Sequence, residues 1–144
     1  SRDSEGSIET LYRLALYLVH REHDLEGASA ILSKLAASTL ACEARTQARL
    51  SYALMLWTKQ KYNDSISLLQ RVISEESSPS QIQALALDYL CTFMREQGAS
   101  KPAIAKMDKL RIQVIQALIE QESDGKNKAD YQARLDVAKQ EAGV

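Results

Sequence analysis

The chain has 144 residues, 45% hydrophobic and 26% charged, enough for one domain with a real core and ordinary for a soluble globular protein. Its 18 Lys and Arg against 19 Asp and Glu give a net charge of −1, without the basic excess of proteins that live on a phosphate backbone, so nucleic acid is not the expected partner. No apolar run reaches the length of a membrane span.

With only 5 Gly and 2 Pro, and with Ala, Leu, Gln, Glu and Lys abundant, the composition favours an all-α fold. Start and stop signals mark seven helices. The first is expected from about Ser7, as its cap, to Glu22, with Ile8, Leu11, Tyr12, Ala15, Leu18 and Val19 at three- and four-residue steps. Its stretch from Leu11 to Val19 carries Tyr12, Arg13 and Tyr17, so it reads as amphipathic helix and not as a signal peptide. Asp24 opens the second, which carries Leu25, Ala28, Ile31, Leu32 and Leu35 and breaks at Ser38-Thr39.

The third is expected from about Cys42 to Gln60 and the fourth from Asn63, followed by a loop from Glu75 to Ser80. The fifth runs from about Ser80 to Gln97 and stops at Gly98, a natural C′ residue. Ser100 caps the sixth, with Pro102 in its first turn, and the helix reaches about Glu122. Asp124-Gly125-Lys126-Asn127 reads as a turn, and a polar last helix follows from about Lys128 to Glu141.

The inter-helix turns align. Leu25, Tyr62 and Ser100 take one position, 37 and 38 residues apart. Small residues follow at Ala28, Ser65 and Ala103, then Leu32, Leu69 and Met107, then Leu35, Val72 and Leu110. Upstream columns are Tyr12, Arg49 and Leu87; Ala15, Tyr52 and Leu90; Leu16, Ala53 and Cys91; and Val19, Leu56 and Met94. Small residues let paired helices approach, and larger ones interdigitate around them. One such pair cannot bury its apolar face alone, so neighbours must stack on it.

These columns resemble the tetratricopeptide repeat, best in the second unit, at Tyr52-Ala53, Leu56, Tyr62, Ser65, Leu69 and Val72. The first unit reverses the large-small pair as Ala15-Leu16, and the repeat exceeds the family's usual length. The resemblance implies a right-handed α-α superhelix of about seven antiparallel helices: a single tetratricopeptide-like domain with units at about 9–38, 46–78 and 84–122 and a capping helix at about 127–142. It further implies a protein-interaction or scaffold module, not an enzyme, that holds a peptide or helix of a partner protein in a concave groove.

By family position, the groove takes Arg13, Tyr17, His20 and Arg21 from the first unit, Gln47, Leu50, Leu54, Trp57 and Thr58 from the second, and Asp88, Thr92 and Arg95 from the third. Leu50, Leu54 and Trp57 would form an apolar strip beside a basic end at Arg13 and Arg21, covered either by a partner or by the chain's own seventh helix or a second copy. The alternative function is accordingly an oligomerisation or sensory segment of a larger protein. The carboxylate clamp of chaperone-binding members needs a Lys/Asn/Asn/Lys/Arg set, and Arg13, Tyr17, Ser51, Leu85 and Tyr89 stand there instead.

No cofactor or metal is expected. His20 and His23 beside Glu22 and Asp24 read as a solvated helix end, Cys42 and Cys91 as small partly buried residues, and Arg45, Arg49, Lys59 and Lys61 as a solvated face. No nucleophile-base constellation or Gly-rich phosphate loop occurs. Compartment is left open between the cytoplasm, the default, and the periplasm if a leader has been removed.

Overall fold

A computed structural model describes residues 4–144. Among the described residues the chain is all-α, with seven helices and no strand: α1 (Glu5–His20), α2 (Leu25–Ala36), α3 (Glu43–Thr58), α4 (Tyr62–Glu75), α5 (Gln81–Glu96), α6 (Lys101–Gln121) and α7 (Gly125–Ala142). Local capping chemistry places most boundaries. Asp24 accepts from the Gly27 amide, Ser80 from Gln83 and Ser100 from Ala103, each filling one of the donors orphaned at a helix start.

Two starts differ from the sequence expectation. The cap of α1 is Ser4, which accepts from the Ser7 amide, so Ser7 lies inside the helix. The supposed turn at residues 124–127 is the opening of α7: Asp124 is the cap and accepts from the Lys126 amide at 3.0 Å. An Asp followed by Gly satisfies a turn and a helix start equally well, and packing of α7 on α6 decides between them.

The chain forms two compact units, Ser1–Leu68 and Leu69–Val144. In the first, α1 packs on α2 and α3, and α2 packs on α3. Its core gathers Ile8, Ala15, Ala28, Leu32, Leu35, Ala44 and Ala48, with Leu11, Tyr12, Leu18, Tyr52 and Met55 packed against it. Alanines with no exposed surface at residues 15, 28, 48 and 53 allow close approach of the helices. At the α3–α4 hairpin the Ser65 hydroxyl donates to the Ala53 carbonyl at 2.6 Å, an approach that only a small residue permits. In the second unit α6 packs on both α5 and α7, and Leu87, Leu90, Cys91, Val114, Ile115, Leu118, Tyr131 and Leu135 are buried.

The turns repeat in their backbone. His23, Gln60 and Gly98 are left-handed, at φ 52, 64 and 69°, and stand 37 and 38 residues apart, the spacing of the sequence columns. After α3 and α5 the closure is the same double bond: Lys61 N–H to Leu56 O with Gln60 N–H to Trp57 O, and Ala99 N–H to Met94 O with Gly98 N–H to Arg95 O. Only the third of these turns uses the residue that adopts positive φ without strain.

Arg49 corrects the reading of a solvated basic face. It is 1% exposed, and its Nε–H donates to the Ala36 carbonyl at 2.9 Å while Nη2 reaches Ser38 O at 3.4 Å. The guanidinium thus caps the C-terminus of α2, where carbonyls lack intrahelical partners and the helix dipole is negative. Lys59 is also engaged, donating to Ser29 Oγ at 2.8 Å. In the second unit the buried Gln83 does a similar job with one bond, from Nε2 to Ile73 O at 3.1 Å.

Candidate functional site

Residues expected to line a groove fall into three groups. The first surrounds a cleft of about 510 Å³ between α1 and α3 in the first unit, lined by Glu5, Glu9, Tyr12, Arg13, Leu16, Glu43, Ala44 and Gln47. α1 and α3 meet here because the Tyr12 hydroxyl lies 3.4 Å from Ser51 Oγ and the alanines at 44 and 48 are small. Arg13 and Gln47 are thereby brought to one site. Arg13 is ion-paired with Glu9 and Gln47 donates to Glu43 at 3.4 Å, so the cleft holds three carboxylates against one guanidinium. Of the expected basic end, Arg13 is paired with a carboxylate of its own helix.

Further along α1, Tyr17 is 52% exposed and its hydroxyl donates to Glu22 at 2.9 Å. Leu14 is also exposed, and His20 and Arg21 face solvent. His23 stands in the left-handed turn that follows the helix, and no group of three or more His, Cys, Asp or Glu able to hold a metal occurs among the described residues.

The second group is the Leu50, Leu54 and Trp57 strip. Leu50 is 7% exposed, so it belongs to the interior and not to an open apolar surface. Leu54 and Trp57 are half-buried, Trp57 tilts against Tyr62 with ring centroids 4.5 Å apart, and exposed Thr58 turns its hydroxyl back onto Leu54 O at 3.1 Å. A four- and three-residue step marks one helix face but does not say whether a neighbour covers it, which is why the sequence left the cover of this strip open.

The third group is in the second unit, where Thr92 is exposed and donates its hydroxyl to the Asp88 carbonyl at 3.1 Å. Asp88 and Arg95 belong to a charge network that joins α5, α6 and α7. Arg111, 5% exposed, donates from Nε to Asp88 and from Nη1 to Glu141, each at 2.8 Å. Arg134 donates to the other Asp88 oxygen at 2.6 Å. Arg95 pairs with the buried Asp108 and also donates to the Glu141 backbone carbonyl at 3.1 Å.

Burial alone would lower the Arg111 pKa, but its bonds to Glu141 and Asp88 raise it above the ordinary value. The bond to Asp108 does the same for Arg95. Beside this network the fully buried Cys91 thiol is pushed up from 9.0 to about 12, by burial foremost and then by the Asp108 charge. Such a thiol stays protonated and is a poor nucleophile. Sequence reasoning did not single out Arg111 or Arg134, because nothing local to either helix says which distant carboxylate lies against it.

No protein-family model matches the chain, and neither the curated proteins nor the solved structures hold a match to it. No helix of the described residues is long and apolar enough to cross a membrane.

Proposed function

We propose that this chain is a protein-interaction module, a tetratricopeptide-like helical array that docks a peptide or helix of a partner protein on the α1–α3 face. The observation that carries the reading is the α1–α3 cleft of about 510 Å³, which has apolar floor residues in Leu16 and Ala44 and a polar rim. Exposed Tyr17 stands one turn beyond Arg13 on the same helix. Three rim carboxylates against one guanidinium favour a partner segment with basic side chains. The repeated left-handed turns at His23, Gln60 and Gly98 support the array reading.

The test is a display selection of short peptides on the whole chain, followed by binding to the wild type and to Gln47→Arg. The substituted side chain fills the cleft and sets a cation where a basic ligand would sit. Selected peptides lose at least tenfold in affinity while helicity is unchanged. Equal binding to both proteins sinks the assignment, as does peptide protection that maps away from α1 and α3.

A further inference from the structure

The α7 helix occupies the α5–α6 face by a thin apolar seam. Of its 18 residues, Tyr131, Leu135 and Ala138 are buried, close to the two of 16 that α1 buries and well below the eight of α5. What holds α7 besides this thin seam is charge: Arg134 on Asp88, Glu141 on Arg111, and the Glu141 carbonyl on Arg95. Arg134 and Glu141 are seven residues apart, two helical turns, and therefore share one face with Tyr131, Leu135 and Ala138.

The acceptor is polar in a directed way. Asp88 meets the arginine of α7, and Arg95 and Arg111 meet its C-terminal end. A helix laid in the opposite direction would bring like charges together, so orientation as well as composition is specified. The acceptor also has unmet capacity: Arg95 Nη1 and Asp108 Oδ1 are buried without a hydrogen-bond partner among the described residues.

We propose that the α5–α6 face is a helix-acceptor surface, and that α7 is a displaceable occupant whose place is taken by a partner protein's helix of the same chemistry. That helix carries an aromatic residue, Arg three positions on, Leu next to it, a small residue three later and a carboxylate three after that. The connector of residues 122–124 keeps α7 tethered at high local concentration, so the face is closed until a competing helix outbids it or α7 is loosened. This surface lies on α5 and α6 alone, and it stands or falls independently of the α1–α3 cleft.

The experiment uses the full chain and a labelled synthetic peptide of residues 124–144. Hydrogen exchange should show α7 amides opening at least tenfold faster than those of α5, and faster again in 0.5 M salt, because partly exposed ion pairs are screened. The peptide should bind the double variant Arg134→Glu, Glu141→Lys at least tenfold more tightly than wild type. A peptide bearing the same two exchanges should not bind, and Gln47→Arg should leave the result unchanged.

If α5 protection is lost in the double variant, Leu135→Ala loosens α7 without touching its charges, and the same gain in binding is required of it. The proposal is overturned if α7 opens only together with α5, or if wild type and loosened chains bind the peptide alike. It is also overturned if sedimentation shows dimers in which α7 stays protected, which would assign the face to a second copy.

Discussion

At the scale of single residues, two buried groups make opposite demands on the chain. Arg49 is retained as a cation in the interior because its planar fork reaches two carbonyls at the end of α2. Arg49→Ala should lower stability by about 2–4 kcal/mol in urea titrations, from lost charged hydrogen bonds and a cavity. Arg49→Lys should recover little, since one ammonium cannot reproduce the Nε and Nη2 geometry.

Cys91 works the other way: burial holds its thiol neutral. Its folded pKa of about 12 exceeds the ordinary 9.0, so its contribution is whole below pH 9 and is lost as pH rises from 9 toward 12, where only the unfolded chain ionises. By pH 10 wild type should have lost about 1 kcal/mol more than Cys91→Ala, each measured against its own stability at pH 8. At pH 8 an alkylating reagent should modify half-buried Cys42 and spare Cys91 until the protein unfolds. The raised arginine pKa values add no pH dependence in this range, because both groups are protonated throughout it.

At the scale of elements, the three hairpin turns form a natural comparison. All need a left-handed residue at one register position, and the chain supplies His23, Gln60 and Gly98. A Cβ at Gly98 would meet nothing within 4 Å, so any penalty for Gly98→Ala comes from the backbone alone, about 1 kcal/mol. Gln60→Gly should do the reverse and stabilise by roughly 0.5–1 kcal/mol, read as a higher urea midpoint. The N-terminal caps are equally local: Ser100→Ala should cost about 1 kcal/mol by exposing the Ala103 amide.

At the scale of the whole molecule, charge is nearly balanced, with a pI near 6.1. Light scattering across pH 5 to 8 should therefore find the highest tendency to associate close to that value, where self-repulsion vanishes. The same balance conceals strong local asymmetry. Carboxylates dominate the α1–α3 cleft, while the second unit sets Arg95, Arg111 and Arg134 against Asp88, Asp108 and Glu141. Neither pattern is visible in a net charge.

The sequence by itself determined the all-α class, the positions of the helices to within a few residues and the 37- to 38-residue register. All three follow from local chemistry: side-chain caps, three- and four-residue apolar steps, and turn residues read within one or two turns of chain. Only the tertiary structure decided which polar faces are solvated. Arg49 and Arg111 have the sequence surroundings of surface residues, and both are buried because helices distant in sequence bring carbonyls or carboxylates to them. The same holds for the candidate sites. Arg13 and Gln47 meet because α1 packs on α3, whereas Asp88 and Arg95 are claimed by α6 and α7. A helical period says which residues share a face; what lies against that face depends on contacts between distant parts of the chain.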